Sequence, residues 1–482
     1  MSLSTALYGA FSGLKANSRA AALVSTNIAN ATTESYGRRE LDLRSGPSGT
    51  GGGVLIDGVL RNVNPVLIAD RRHSDAEMGL GSALFDFATR FETELGDSET
   101  PGSLVGRYTA LENALLVAAA DPSSAQRLDQ VSLTADAVST KLNALSRDVQ
   151  AARLDADKEI GRQVTLLNET ILRLDGINDD LTKAASANGD PAALLDEQAR
   201  LIDSISEIVP LRVVQKDAGD IALYTTGGAV LLDGRPSEIG FTPVNAMDPV
   251  FTLAGGDLSG LTINGMFAKA SGNGVLKGGS LAAQFEIRDE AAPARQAQLD
   301  AIARDLIERL GPAGPDATLA ATDPGLFTDD GLAFDPLNET GIAGRIRINT
   351  LVAPDSGGSW RLRDGLGAAT TGPVGEARLL QGISAALEAG TVPSSPALPA
   401  VSASFATHVA DVTSDAAAAR VRAEGQKTYL NAQNTQLKEL ELANGVDTDA
   451  ELQRLMQIEQ LYAANVKVMQ TVDELIQQLM SI

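Results

Sequence analysis

The 482-residue chain contains no cysteine. Disulfides, thiolate metal sites and cysteine nucleophiles are therefore excluded together. Its two histidines, His73 and His408, are far apart in sequence, which leaves a histidine-based zinc site without its ligands. Aromatic residues make up 4% of the chain, with one tryptophan, so long helices packed by small side chains fit better than an aromatic-lined pocket. No stretch approaches the ~20 consecutive apolar residues needed to cross a bilayer. The opening MSLSTALYGAFSGLKANSR has neither the basic start nor the apolar run of a secretory signal. Alone, this points to the cytoplasm; a protein exported without a cleaved signal would look the same. Basic clusters are lacking too. With a formal charge of −23 spread along the chain, nucleic acid and anionic membrane are not expected partners.

What is present is periodicity. Hydrophobic content of 44% suits a soluble, foldable chain, and the length suits roughly two to four domains. Val446 to Ile482 read as one amphipathic helix. Leu455, Tyr462, Met469 and Ile476 recur every seven residues, and so do Ile458, Asn465, Val472 and Leu479. The N-terminus carries a matching seam, with Leu7, Leu14, Ala21 and Ile28 in one row and Leu3, Ala10, Asn17 and Val24 in the other. Such heptad stripes predict coiled-coil packing, of the two termini with each other or with neighbouring copies. Asn17 and Asn465 at seam positions either fix register and partner number or face a wet channel.

Between the ends, the pattern predicts a helix over Ser4–Ala31, closed by a polar stretch ending at Gly37. A Gly-rich segment and a strand or hairpin arm at Val54–Leu60 follow. From Met78 to Val209 the period is helical. The longest run opens after Pro122, where Ser123 and Gln126 have capping-box spacing, and closes at Asn188-Gly189. Its seam runs Leu142, Val149, Ala156, Ile160, Leu167, Leu174, Leu181. The four-residue step beside Gly161 is a stutter, compatible with a break or a continuous rod. After Pro210 the period becomes two, with short strands at 211–214, 221–225, 229–232, 239–241, 261–263 and 345–348. Helical period returns at 280–310. A Pro/Ser linker at 391–399 leads to two last helices, 405–443 and 448–482, the second with capping-box spacing at Thr448 and Glu451. The expected fold is α+β and multidomain, in nested layers. A terminal coiled coil comprises 1–45 with 445–482. A long-helix layer comprises 46–210, 280–311 and 401–444, and a β-rich outer insertion comprises 211–279 with 312–400.

No catalytic constellation stands out. Gly272–Gly278 resembles a phosphate loop only superficially, because its lysine is misplaced and no Ser or Thr follows; a β-turn is favoured. Asp329, Asp330, Asp335 and Glu339 miss the EF-hand spacing and read as a solvated turn. Trp360 beside Arg361 and Arg363 reads as local packing. No nucleophile with a base is present, so no enzyme activity, cofactor or metal is expected.

The residues Asn27-Ile28-Ala29-Asn30-Ala31 through Ser35-Tyr36-Gly37-Arg38 resemble the N-terminal signature of bacterial flagellar axial proteins. Gly445 to Leu452, Gln460 to Asn465 and Thr471 to Glu474 are similar to their C-terminal helix. These motifs mark the class of rod, hook and hook-associated proteins more sharply than any member. Leu194-Leu195-Asp196-Glu197-Gln198-Ala199-Arg200-Leu201-Ile202 is similar to the segment closing the helical domain of the hook-associated members, and Gly53–Arg61 and Gly278–Leu281 also fit them. The family's usual Pro-Gly before the tyrosine is replaced here by Glu34-Ser35, and the β insertion is short.

The resemblance implies a non-enzymatic structural protein at the junction of hook and filament, exported through the flagellar type III channel. The implied partners are copies of itself in a ring, the hook protein, a second junction protein and an export chaperone. The assembly surface expected is Leu7, Leu14, Asn17, Val24, Ile28, Leu455, Ile458, Tyr462, Asn465, Met469, Val472, Ile476 and Leu479 from the seams, with Asn27, Asn30 and Tyr36 from the signature. Two helices touching only each other do not offset the entropy of ordering both, so the termini are expected to order against neighbouring copies. The alternatives are another axial protein, hook or distal rod, or a cytosolic coiled-coil scaffold.

Overall fold

The computed structural model describes residues 3–33, 35–46, 52–97, 100–187 and 190–481. The chain is α+β and mainly helical, with small antiparallel sheets. Helix α1 spans Leu3–Ala29. Strands β1 (Arg38–Ser45) and β2 (Val54–Asn62) form a hairpin, Arg38 opposite Asn62, with a register shift between Asp42 and Leu43. Only β2 was expected from the sequence; residues 47–51 of the Gly-rich link and Glu34 fall outside the described residues. Helix α2 (Pro65–Leu95) starts behind Asn64, whose side chain accepts the Leu67 N–H at 3.2 Å, with proline in the first turn. Helix α3 (Leu104–Ala120) is capped by Ser103.

Helix α4 (Ala125–Ser186) runs unbroken through 62 residues, about 93 Å at 1.5 Å per residue. Its buried stripe explains the continuity. Leu128, Val131, Ala135, Val138, Leu142, Leu145, Val149, Ala152 and Ala156 alternate steps of three and four. The extra four-step to Ile160 resets the drift between that 3.5 period and the helix's own 3.6. The Ser123–Gln126 capping box does not form: Ser124 is the N-cap, without a side-chain bond to the backbone. The expected stop at Asn188-Gly189 lies outside the described residues.

Helix α5 (Ala192–Ser206) leads into two three-stranded antiparallel sheets. The first is β3 (Leu211–Gln215), β4 (Ile221–Thr225) and β5 (Val230–Leu232); the second is β6 (Ile239–Gly240), β7 (Leu261–Ile263) and β8 (Met266–Ala268). Helix α6 (Gly279–Glu286) continues through a π-helical turn, Ile287–Ala291, into α7 (Ala292–Arg309). Next come β9 (Phe327–Asp329), the single turn α8 (Ile342–Arg345), and β10 (Ile346–Ile348), which pairs with β9. Helices α9 (Arg361–Asp364), α10 (Arg378–Glu388), α11 (Phe405–Ala443) and α12 (Thr448–Met480) complete the chain.

Two apolar cores share α4 as a wall. The first packs α3 and the N-terminal half of α4 with α7, α10 and the start of α11; the rings of Tyr108 and Phe405 meet at 5.0 Å. The second packs Ile160 to Leu174 of α4 with α5, the two three-stranded sheets and Phe285. Residues 312–400 were expected in one β-rich unit with 211–279. They carry only two three-residue strands, and their buried side chains lie in the first core. Helix propensity won there: α10 closes that core with Leu380, Ile383 and Leu387.

Between the cores lies a polar crossing. Arg288 in the π turn is fully buried, pairs with fully buried Asp157 at 2.8 Å, and lies 4.8 Å from the Phe285 ring centre. Arg153 donates to the carbonyls of Arg288, Asp248 and Phe251 at 3.0, 3.0 and 2.7 Å. A charge pair this buried persists only with its remaining groups satisfied.

Asp300 on α7 holds the start of α8, accepting the N–H groups of Gly341 and Ala343 at 2.8 Å each and an amide N–H of Gln296 at 2.9 Å. Burial pushes its carboxyl up to about 6, against the pull of those donors. Because the folded value exceeds the unfolded one, the fold binds the proton more tightly. The group's contribution is then greatest in acid and falls as pH rises through about 6. Between pH 4 and 7 this amounts to about 2 kcal/mol. Urea midpoints at the two pH values check it: Asp300→Asn removes that share of the wild-type pH dependence.

Candidate functional site

The site is built at the chain ends. Helix α12 lies along α1, and the contact begins from small residues. A Cβ built on Gly13 would stand 2.8 Å from Asn465 Nδ2, so α12 approaches α1 where there is no side chain. Ala10 and Ala16 are buried beside it. Asn465 thus sits against α1 inside the pair, while Asn17 keeps a buried Nδ2 without a partner.

Of the seam residues, Val24, Ile458 and Val472 are buried, and Leu14, Asn17, Ile28, Leu455, Asn465 and Met469 are half-buried. Leu7, Tyr462, Ile476 and Leu479 remain exposed, Leu479 to 61%. Tyr8, Phe11, Met456, Leu461 and Met480 join them, each at least half exposed. The pair therefore leaves an apolar stripe bare. Both termini, expected to order only against neighbours, are helical here and are tied together at one end.

That tie is a polar joint on Asn27. Its Nδ2 donates to Arg39 O at 2.9 Å and to Glu451 Oε2 at 3.1 Å. Its Oδ1 accepts the Tyr36 hydroxyl at 2.8 Å and the Arg39 N–H at 2.9 Å. Glu451, fully buried in the first turn of α12, also takes Arg38 Nε at 2.7 Å. Arg454 reaches Glu40 at 2.6 Å; that bond holds the Glu40 carboxyl below its ordinary value. The expected Thr448–Glu451 capping box is not made. Asp447 caps α12, accepting from Asp449 and Ala450, and Glu451 is engaged with α1 and β1 instead. Asn30 serves the local turn: its Nδ2 donates to Thr26 O at 2.9 Å. Asn27, Asn30 and Tyr36 are thus all engaged within the chain.

The joint rests on two carboxylates of α5. Asp196 takes Arg39 Nη2 at 2.6 Å, Arg61 Nε at 2.8 Å and the Gly37 N–H at 3.1 Å. Asp203 takes Arg71 at 2.7 Å, Arg72 at 2.6 Å and the Ser35 hydroxyl. Burial alone would raise the Asp203 carboxyl, but the charges of Arg72 and Arg71 outweigh it and hold it low. Ser35 has φ 63°, in the left-handed region, at the position where the resembling family has glycine. Sequence reasoning missed Arg38, Arg39, Arg61, Asp196, Asp203 and Glu451 as a group. The available signal was the seven-residue spacing of Asp196 and Asp203, which puts both on one face of α5.

The other candidates are engaged structurally. Asp329 pairs with Arg345 at 2.8 Å, Glu339 with Arg304 at 2.6 Å, and Asp335 caps the turn at Pro336. Arg361 stacks 4.6 Å from the centre of the Trp360 ring. Gly272 and Gly274 lie in a turn before α6. Among the described residues no cluster of three metal-ligating side chains occurs, and no helix is long and apolar enough to cross a membrane.

Asn27→Ala leaves a buried hydroxyl, a backbone N–H and a carboxylate short of partners, a cost of roughly 2–3 kcal/mol. Hydrogen exchange at residues 20–41 and 448–458 should quicken by about the corresponding 30- to 150-fold, while amides of α4 exchange as before.

Residues 88–311 match the family model described as the flagellar hook-associated protein FlgK helical domain, and residues 442–482 match the flagellar basal body rod FlgEFG protein C-terminal model. Flagellar hook-associated protein 1 of Salmonella typhimurium is 27% identical over 265 residues, covering 52% of this chain and 46% of that protein. The Escherichia coli K12 protein of the same name is 24% identical over 251 residues, 49% of this chain and 44% of its own. The alignments thus span about half the length of these curated relatives. A solved flagellar hook junction protein FlgK from Burkholderia pseudomallei superposes with a TM-score of 0.45 at 15% identity, covering 54% of this chain and 46% of that one. Two segments of the chain are thus similar to bacterial flagellar axial proteins, the longer one to the helical domain of flagellar hook-associated protein 1.

Proposed function

We propose that this chain is a non-enzymatic structural subunit of the bacterial flagellum, seated between hook and filament. The observation that carries the reading is the α1–α12 pair, closed by a buried joint at one end and apolar on its exposed face. An exposed stripe of Leu, Ile, Met and Tyr on a chain of net charge −23 calls for a covering surface. Burying each large side chain contributes about 1.5–3 kcal/mol, so a ring of copies gains where the lone pair does not. The far ends, Leu3–Phe11 and Ile476–Met480, would complete their packing only in that ring.

The reading divides the chain into a terminal coiled-coil layer of 1–45 with 445–482, a helical layer, and an outer insertion. Its partners are further copies, the hook protein, the second junction protein and an export chaperone. The subunit works outside the cell. The C-terminal match alone would suit a hook or distal rod protein as well. The helical-domain match over 88–311 favours the junction.

Electron microscopy of cells lacking the chain, with the medium assayed for flagellin, tests the reading. Bare hooks with flagellin lost to the medium are expected. Missing hooks would move the subunit down into the rod or hook, and normal filaments would overturn the flagellar role.

Ile476→Asp and Leu479→Asp alter side chains that the chain itself leaves exposed, so the purified variants should keep wild-type circular dichroism. Both should fail to join the flagellum, read by immunoblot of isolated hook–basal bodies. Normal incorporation would count against the stripe as the assembly surface.

A further inference from the structure

We propose that the α1–α12 pair with its β1–β2 hairpin is a lever, held to the rest of the chain by an ionic latch on α5 that is also its hinge. Neither apolar core includes a residue of α1, β1, β2 or α12 among the described residues. Apolar packing therefore does not set the lever's angle. The chain crosses between lever and body twice, at Asn62–Asn64 and at Asn444–Asp447. Residues of both crossings line one open cleft of about 430 Å³, with Arg71, Arg72 and Asp203.

The bonds sort into two rigid sides and one face between them. On the lever, Asn27, Tyr36, Arg38, Arg39 and Glu451 bind one another. On the body, Asp203, Arg71, Arg72 and Glu441 tie α5, α2 and α11 together, with Arg71 Nε 2.8 Å from Glu441. Across the face run the bonds of Asp196 to Arg39, Arg61 and the Gly37 N–H, and that of Ser35 to Asp203. One further pair, Arg19 with Asp190, is loose at 3.9 Å and open to solvent. The charges across this face keep 13–18% of their side-chain surface exposed, so salt weakens the pairing in part, the Debye length falling to about 3 Å at about 1 M. Breaking this face frees the lever to turn without exposing a core.

The absence of cysteine makes the test direct. Spin labels on Gln457→Cys of α12 and Glu169→Cys of α4, both exposed positions, report the lever-to-body distance by pulsed electron resonance. Labels on Ala22→Cys and Gln457→Cys report the spacing within the lever. In the full-length chain, Asp196→Asn should broaden and shift the lever-to-body distances, as should about 1 M NaCl, with the within-lever distances unchanged. A lever-to-body distribution as narrow as wild type in Asp196→Asn and in Asp196→Asn/Asp203→Asn would overturn the proposal. Broadening within the lever as well would also overturn it, because loss of the latch would then unfold the lever. The purified chain is the sample, so the outcome is independent of where in the flagellum the subunit sits.

Discussion

Asn27 has two amide protons and two carbonyl lone pairs, and each has a partner: Arg39 O and Glu451 for the protons, Tyr36 and the Arg39 N–H for the lone pairs. Turning the amide over would set acceptor against acceptor at Arg39 O and Glu451 and donor against donor at the Arg39 N–H, so the network fixes its orientation. No other residue type offers this pattern at that reach. Aspartate lacks the two donors and would face Glu451, and glutamine is one methylene longer. The end of α1, the first strand and the first turn of α12 therefore meet at one side chain, although Asn27 and Glu451 lie 424 positions apart. The Arg38–Glu451 and Arg454–Glu40 pairs flank this satisfied and buried amide and tie the same two ends.

The body follows a different principle. Its two cores sit on one uninterrupted helix, and the interval between them is filled by charge, with Arg288 and Asp157 both at 0% exposure. Such a crossing adds less stability than apolar packing of the same volume, but it demands one arrangement, since either ion alone is severely destabilising there. The π turn at Ile287–Ala291 belongs to the same solution. It follows directly on α6 and carries Arg288 at the interval between the cores, while α7 continues into the first core. Long helices, a charged crossing and a polar joint give a body stiff along α4 and least cohesive where the terminal pair attaches.

This division explains what the sequence disclosed. Heptad spacing located α12 within two residues, because amphipathic periodicity is local, and the Pro/Ser linker and Asn444-Gly445 bracketed α11 at its observed bounds. It located α4 too, and the stutter beside Gly161 turned out to preserve the rod. Strand β1 escaped notice although Glu40-Leu41-Asp42-Leu43 alternates charge with leucine, because two leucines among eight residues make a short period-two signal. Glu451 was misread for a physical reason: three residues after Thr448 it has the spacing of a cap, and spacing carries no information about Arg38 or Asn27. The stretch 312–400 misled through its Gly, Pro and Asp turns. They look like the punctuation of a sheet, yet here they separate short helices that close an α-helical core. The motif around Asn27 was legible as a resemblance, but its chemistry became legible only when the distant partners were in place.

The gradient along the terminal pair bears on how such a subunit stays soluble before it assembles. At the joint, polar groups are paired and the helices are committed to each other. Further out, the approach at Gly13 and Asn465 is close, but the surrounding stripe is only half covered, and beyond it Leu479 and Met480 are open to water. A pair sealed along its whole length would have no surface left for another copy, and one apolar along its whole length would associate wherever it met its like. Helix α1 has Lys15 and Arg19 and no acidic residue, whereas α12, apart from Glu451 and Arg454 in the joint, has Asp449, Glu459, Asp473 and Glu474 against Lys467. Copies aligned alike set α12 against α12 with acid facing acid, and copies set side by side bring α1 of one toward α12 of the next. For the proposed assembly, this charge pattern disfavours symmetric pairing and favours a head-to-tail contact, the kind that gives a ring where the rotation closes.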